Sequence, residues 1–273
     1  MIPAPFDYVR ADSAEQAMTL LAEHGEDAKV LAGGQSLLPI LKLRLANPAL
    51  LVDISRVDDL AYVRVEGDEV AIGAVTRHCD VVDSDLLQHE VPLLSYVAGL
   101  VGDRQIRHRG TFGGSLVHGD AAADLPCAAL ALEAMFVVQG PNGTRRVPAA
   151  EFFSGHFETA VGPDELLVEV RVPRSAGVGW AYEKFVRRAN DWAIVGVAAV
   201  GGRVALANMG PTPLRAVAAE QVLAGGGSVA DAAAVADQGS APTEDMHATP
   251  RYRRHLARVL TARALTTSQS TSG

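Results

Sequence analysis

The chain has 273 residues, 48% of them hydrophobic, and a formal charge of -8 at pH 7. That length supplies roughly two domains with real cores, and the acidic balance argues against a nucleic-acid partner, whose phosphates reward a basic face. Two cysteines, Cys79 and Cys127, lack the clustered thiolate spacing of a zinc or iron-sulfur site.

The opening, MIPAPFDYVRADSAEQ, has no basic region followed by an apolar one, so a cytoplasmic protein is the expectation. SAEQAMTLLAEHG reads as a helix, with Ser13 as N-cap, Gln16 completing a capping box and Gly25 as stop. Its apolar face is Ala14, Ala17, Met18 and Leu21. AKVLA and LLVDIS read as strands, with a Gly-Gly turn between them. From Tyr62 the alternation YVRVE, a GDE turn and VAIGAV predict a β-hairpin. Residues 81–100 read as helical, a second strand pair flanks the PNG turn at 141–143, and LLVEVRVP is a strand with a proline stop.

After the turn-rich PRSAGVG come two strands, AYEKFVRR and WAIVGVAAV, a GGR turn, VALANMG and then helical text. Strands followed by helices predict an α+β unit with antiparallel pairing. In the basic run at 251–258 the helical spacing turns Tyr252, Leu256, Val259 and Leu260 inward and the arginines outward, as a solvated face or a subunit contact. The longest apolar run, around AIVGVAAV, is far below the roughly 18 residues of a membrane span. The polar tail TTSQSTSG is expected to be disordered.

Two glycine pairs share one local grammar: Gly33-Gly34-Gln35-Ser36 and Gly113-Gly114-Ser115, each followed by apolar residues. Glycine lets backbone take positive φ or approach a ligand with no Cβ in the way. Two such turns can aim main-chain N–H groups at one diphosphate from two sides; the plain alternative is a pair of tight corners. No GxxxxGK[ST] and no GxSxG is present, and GVGWAY lacks the third glycine and the preceding strand of a dinucleotide fingerprint. Nor does the sequence offer a clear acid-base dyad.

AGGQSLLP, GTFGGS and the downstream AAADLP, in that order, resemble the FAD-binding medium subunits of molybdenum hydroxylases of the aerobic carbon monoxide dehydrogenase and xanthine dehydrogenase type. The likeness extends to MIPAPFDYVR, EFFSGHFETAVGPDELLVEVRVP and YEKFVRRANDW, and so covers nearly the whole chain. It implies an α+β fold: a two-part FAD-binding domain of the PCMH, vanillyl-alcohol oxidase-like kind (1–56 and 57–175), a small α+β C-terminal domain (176–266) and a disordered tail (267–273).

By the same resemblance Ala32, Gly33, Gly34, Gln35, Ser36 and Leu37, with Thr111, Phe112, Gly113, Gly114 and Ser115, cradle the FAD pyrophosphate. Asp124 takes a ribityl hydroxyl, Leu167 packs near the isoalloxazine, Lys184 lies near the flavin ring and Trp192 offers an aromatic face. The residues alone leave plainer roles open: Asp124 as the N-cap of DLPCAALAL, Lys184 as a solvated strand lysine, Trp192 as a core residue, His118 as a hydrogen-bonded loop histidine. Gln35 stands where carbon monoxide enzymes often carry His, and Ser115 where xanthine dehydrogenases carry Asn. These departures leave the FAD pattern intact but speak against naming carbon monoxide as the substrate.

The expected role is electron transfer from iron-sulfur clusters to an external acceptor. Molybdenum cofactor and iron-sulfur clusters are expected only in a large and a small partner subunit, assembled as a dimer of heterotrimers. The rivals are a self-contained flavin oxidoreductase of the same fold and a non-catalytic nucleotide-binding module. A side chain at Gly33 or Gly114 is expected to cost cofactor retention and leave the fold largely intact.

Overall fold

The computed structural model describes residues 2–271. The first segment carries β1 (Asp7–Arg10), α1 (Ala14–His24), β2 (Ala28–Leu31), α2 (Leu37–Lys42) and β3 (Leu50–Asp53). Its strands form a parallel sheet in the order β1-β3-β2. LLVD of β3 is buried at every position, as befits the centre of a sheet covered on both faces. Ser13 caps α1 by accepting the Gln16 amide, while the Gln16 side chain reaches back to the Asp12 amide, one residue short of a true capping box. Ala14, Ala17, Met18 and Leu21 form the buried face of α1 and share a core with Leu50, Val52 and Ile54.

The second segment opens with the hairpin β4 (Val63–Glu66) and β5 (Glu69–Gly73). Then follow α3 (His78–Asp83), α4 (Asp85–Glu90), α5 (Pro92–Gly99), α6 (Arg104–Arg109), α7 (Phe112–His118) and α8 (Asp124–Ala131). The stretch read as helical is divided among three helices, because the Ser84 hydroxyl caps α4 and Pro92 can only begin a helix, lacking the N–H to continue one. The segment ends with β6 (Met135–Gly140), β7 (Gly143–Pro148), α9 (Ala149–Phe152), the short pair β8 (Phe153–Gly155) and β9 (Glu158–Thr159), and β10 (Leu166–Pro173). Its antiparallel sheet runs β4-β5-β10-β6-β7. The helices cover it over a core in which Phe136 stacks on Phe152, ring centroids 3.9 Å apart.

The third segment is an antiparallel sheet, β11 (Trp180–Phe185), β12 (Val195–Val200), β13 (Arg203–Ala207) and β14 (Leu214–Arg215), with α10 (Val217–Ala224), α11 (Val229–Ala234) and α12 (Pro250–Ser270). β12 is buried throughout. The strand expected to start at Trp192 starts at Val195, so residues 186–194 form a loop in which Asn190 takes φ +67°.

The tail is ordered where it is described, contrary to expectation. α12 runs to Ser270, its inner face continuing through Leu260, Ala264 and Leu265 to the buried Ser268. The Thr271 hydroxyl then donates to the Trp180 carbonyl and accepts its amide, both at 3.1 Å. Small polar residues extend a helix when the preceding turns already lie on a sheet. Residues 272–273 of the expected tail lie outside the described residues.

Contrary to the expected outward arginines and inward Tyr252, Tyr252 is exposed and Arg253, 1% exposed, ties α12 to what surrounds it. Its guanidinium donates to the Ile194 carbonyl at the end of the 186–194 loop, to the Thr243 carbonyl and to Asp245. Arg253→Ala strands these acceptors. Because the Asp245 side chain is 42% exposed and can be rehydrated, the loss should be about 2–4 kcal/mol, below that of a fully buried pair, read as a lower denaturant midpoint.

Candidate functional site

The first glycine turn leaves the C-terminal edge of the parallel sheet, where open sheets bind ligands. β2 ends at Leu31, residues 32–36 turn, and Leu37 begins α2. Gly34 takes φ +72°. The carbonyls of Gly34 and Ser36 accept the amides of Leu38 and Ile40. The amides of Gly33, Gly34, Gln35 and Ser36 meet no protein acceptor among the described residues, and the Ser36 hydroxyl makes no capping bond. A row of unspent N–H groups at a helix start is an anion-binding surface.

The second turn is built otherwise. Thr111 is the N-cap of α7, its hydroxyl accepting the Gly114 amide at 3.3 Å. The Phe112 amide donates to the Thr76 carbonyl, that of Gly113 to Ala74 and that of Ser115 to Thr111. The expectation of equal amide donation from both turns is therefore corrected. The second turn spends its amides on its own scaffold; Thr111 is buried with its hydroxyl engaged, Ser115 is half-buried and Phe112 lies wholly in the core.

The turns meet backbone to backbone. A Cβ on Gly33 would stand 2.2 Å from the Arg109 carbonyl oxygen and 2.6 Å from the Gly110 Cα. One on Gly114 would stand 3.8 Å from the Cβ of Ala32, with only the Thr111 hydroxyl closer, at 2.6 Å. Gly33 is thus a glycine chiefly because another main chain lies against it. The expectation that a side chain there spares the fold is corrected accordingly.

Asp124 is not the N-cap of α8. Ala123 is, and Asp124 occupies the first helical position with 6% exposure. Its Oδ2 accepts the Lys184 Nζ at 2.8 Å and its Oδ1 the Tyr182 hydroxyl at 2.7 Å. Burial pushes the Asp124 carboxyl up, against the pull of Lys184 and Tyr182. Lys184 also donates to the Leu100 carbonyl at 3.4 Å, so it is no solvated strand lysine. Tyr182, absent from the sequence reading, had one signal: it stands two residues before Lys184 on a strand, hence on the same face.

Trp192 is 66% exposed on the 186–194 loop, which removes the core-residue alternative. The loop's far end is pinned where Asn208 Nδ2 donates to the Ala193 carbonyl. Leu167 is 4% exposed and packed in the main core next to the β10 irregularity. Gln35 is exposed. His118 ends α7 and lies against Phe157, ring centroids 4.9 Å apart.

His78 had no sequence signal. It lies 4% exposed beneath the second turn, with its ring against Gly110 and its Nδ1 unpartnered. Burial, aided by Arg107, pushes it down to about 4.

Residues 4–175 match the model of the FAD binding domain in molybdopterin dehydrogenase, and residues 180–268 that of the CO dehydrogenase flavoprotein C-terminal domain. The chain belongs to the FAD-binding medium subunits of the molybdopterin dehydrogenases. The carbon monoxide dehydrogenase medium chain of Hydrogenophaga pseudoflava is 43% identical, over 97% of each chain. The 6-hydroxypseudooxynicotine dehydrogenase complex subunit alpha of Paenarthrobacter nicotinovorans is 42% identical over 97% of this chain and 95% of that one. A solved structure of the Hydrogenophaga carbon monoxide dehydrogenase superposes with a TM-score of 0.97 over 100% of both chains at 44% identity. The chain is thus an oxidoreductase subunit with an FAD-binding domain, and the Hydrogenophaga enzyme it superposes on is one with a molybdenum cofactor.

Two outcomes test this geometry. Gly33→Ala should lose about 1–3 kcal/mol in thermal or denaturant unfolding, because the Arg109 carbonyl must move. Gly114→Ala should lose less than Gly33→Ala, since the Thr111 hydroxyl can rotate away.

For His78 the folded state holds the proton more weakly than the unfolded chain, so unfolding takes up a proton between pH 6.5 and about 4. Stability should therefore fall as pH is lowered through that window. His78→Leu should flatten that part of a stability-against-pH curve.

Proposed function

We propose that this chain carries FAD across the paired glycine turns and is the electron-transfer subunit of a molybdenum-containing hydroxylase, taking electrons from a partner's iron-sulfur clusters and handing them to an external acceptor. The observation that carries the reading is the run of unspent amides at Gly33, Gly34, Gln35 and Ser36, seated against the second turn. A diphosphate satisfies such donors without any cation. Ala32 and Leu37 flank the row, Ser115 offers a hydroxyl from the facing turn, and Thr111, Phe112 and Gly113 fix that turn to the core.

Asp124 keeps lone pairs beyond those engaged by Lys184 and Tyr182, and can accept a ribityl hydroxyl as well. The Lys184 ammonium favours negative charge on a reduced ring, and Trp192 is free to lie over one face of it. Bound there, FAD supplies reversible two-electron redox chemistry, which the protein positions and tunes. In the proposed division, 1–56 and 57–175 hold the cofactor and 176–266 closes over it.

Among the described residues no group of His, Cys, Asp or Glu comes together to hold a metal. In this reading the iron-sulfur and molybdenum centres belong to a small and a large partner chain, in a dimer of heterotrimers in the cytoplasm. No described helix is long and apolar enough to cross a membrane. Relatives of nearly equal identity are named for carbon monoxide and for 6-hydroxypseudooxynicotine. The substrate is therefore set by the partner that holds the molybdenum pocket, not by this chain.

Co-expression with the products of neighbouring genes tests the reading. A purified complex should show a flavin spectrum, with FAD released on denaturation, and substrate should bleach it only when the molybdenum and iron-sulfur chains are present. A flavin-free complex, or bleaching of this chain alone by the same substrate, overturns it.

A further inference from the structure

Tyr182 and Lys184 project from the same face of β11 and grip one carboxylate between them. The hydroxyl occupies Oδ1 and the ammonium Oδ2, so each fixes which oxygen the other can use. The Lys184 and Asp124 side chains are only 11% and 7% exposed. A buried ion pair of this kind adds little stability over apolar packing, which makes its retention in an aliphatic interior a matter of specificity or function. Across the sheet, residue 196 in β12 is a glycine, directly opposite Lys184. A Cβ there would stand 2.7 Å from the Tyr182 hydroxyl oxygen and 3.2 Å from the Ala207 Cβ. The space that Gly196 leaves is therefore the space in which the hydroxyl reaches Asp124.

We propose, given the FAD site described above, that Tyr182 is a positioning residue: its hydroxyl keeps Asp124 ionised and turned to Lys184, and thereby sets how much of the Lys184 charge acts on the flavin. The ammonium has a third proton beyond those directed at Asp124 and Leu100. With Asp124 ionised, the pair is neutral overall and the ring feels mainly a dipole. When Asp124 takes up a proton from solvent, the ammonium acts as a net cation and favours the reduced, negatively charged ring.

The titratable groups facing Asp124 are Lys184 and Tyr182 from β11, Cys127 one turn on in α8 and Asp120 in the preceding loop. Burial and Asp120 favour the protonated acid, whereas Lys184 and Tyr182 favour the carboxylate. Removing the hydroxyl takes away one of the two restraints, so Asp124 protonates at higher pH.

The test is the flavin midpoint potential as a function of pH in the assembled complex, for the parent, Tyr182→Phe, Gly196→Ala and Asp124→Asn. Tyr182→Phe should move the break in the plot upward by about one to two pH units, the loss of one hydrogen bond to a charged group. Between the parent's break and the variant's, the variant's potential should be the more positive. Gly196→Ala, which displaces the hydroxyl and leaves both charged partners in place, should shift the break the same way, and Asp124→Asn should remove it.

If both Tyr182→Phe and Gly196→Ala retain FAD with the parental break, the hydroxyl does not control the pair and the inference is overturned. The same follows if Asp124→Asn keeps that break. A parent complex that holds no FAD overturns the cofactor reading itself, and Tyr182 with it, which separates the two failures.

Discussion

Everything at the candidate site depends on one contact without side chains: the Gly33 backbone lying against Arg109 and Gly110. It brings the carboxyl edge of a three-stranded parallel sheet to the start of a helix in a different, antiparallel unit. Main chain can approach main chain this closely only where a Cβ is missing. The contact also explains an asymmetry. A turn that had to brace the approach spent its amides on Thr76, Ala74 and Thr111, and the turn braced by it kept its own unspent.

A second seam joins the cofactor-binding units to the C-terminal sheet. There Asp124 from α8 meets Tyr182 and Lys184 from β11, and the Asn208 amide reaches back to the Ala121 carbonyl. The first seam is backbone on backbone and the second is charge on charge. A polar seam inside a largely aliphatic molecule costs desolvation unless each group is satisfied, and here both carboxylate oxygens have partners. The exposed 186–194 loop hangs from the same sheet, its end held by Arg253 and Asn208 and its middle closed by the Asp191 amide on the Arg188 carbonyl, so Trp192 stands out from a braced loop.

This construction suits a subunit whose relatives serve oxidations of unlike molecules. The two seams are main chain on main chain and one ion pair, neither of which depends on a substrate. The departures at Gln35 and Ser115 fit this: one is exposed on the first turn, the other only half-buried on the second, and neither carries the fold.

The sequence by itself determined the local elements whose signals are local. α1 with its Ser13 cap and Gly25 stop, the β4-β5 hairpin, the Pro173 stop of β10 and the succession of strands then helices near the C-terminus all follow from periodicity, capping and turn chemistry. The ordered motifs likewise identified the family, because AGGQS and GTFGGS place glycine where a positive φ or a neighbouring main chain leaves no room for a side chain. Only the tertiary structure decided which amides stay free, that Leu167 turns inward, that Asp124 pairs instead of capping, and that the polar tail continues a helix. Each of those outcomes depends on partners far away in the chain, such as Ala74, Val138, Lys184 and Trp180. Periodicity reports a residue's neighbours along the chain, whereas hydrogen-bond satisfaction and burial are settled by whatever folding brings beside it.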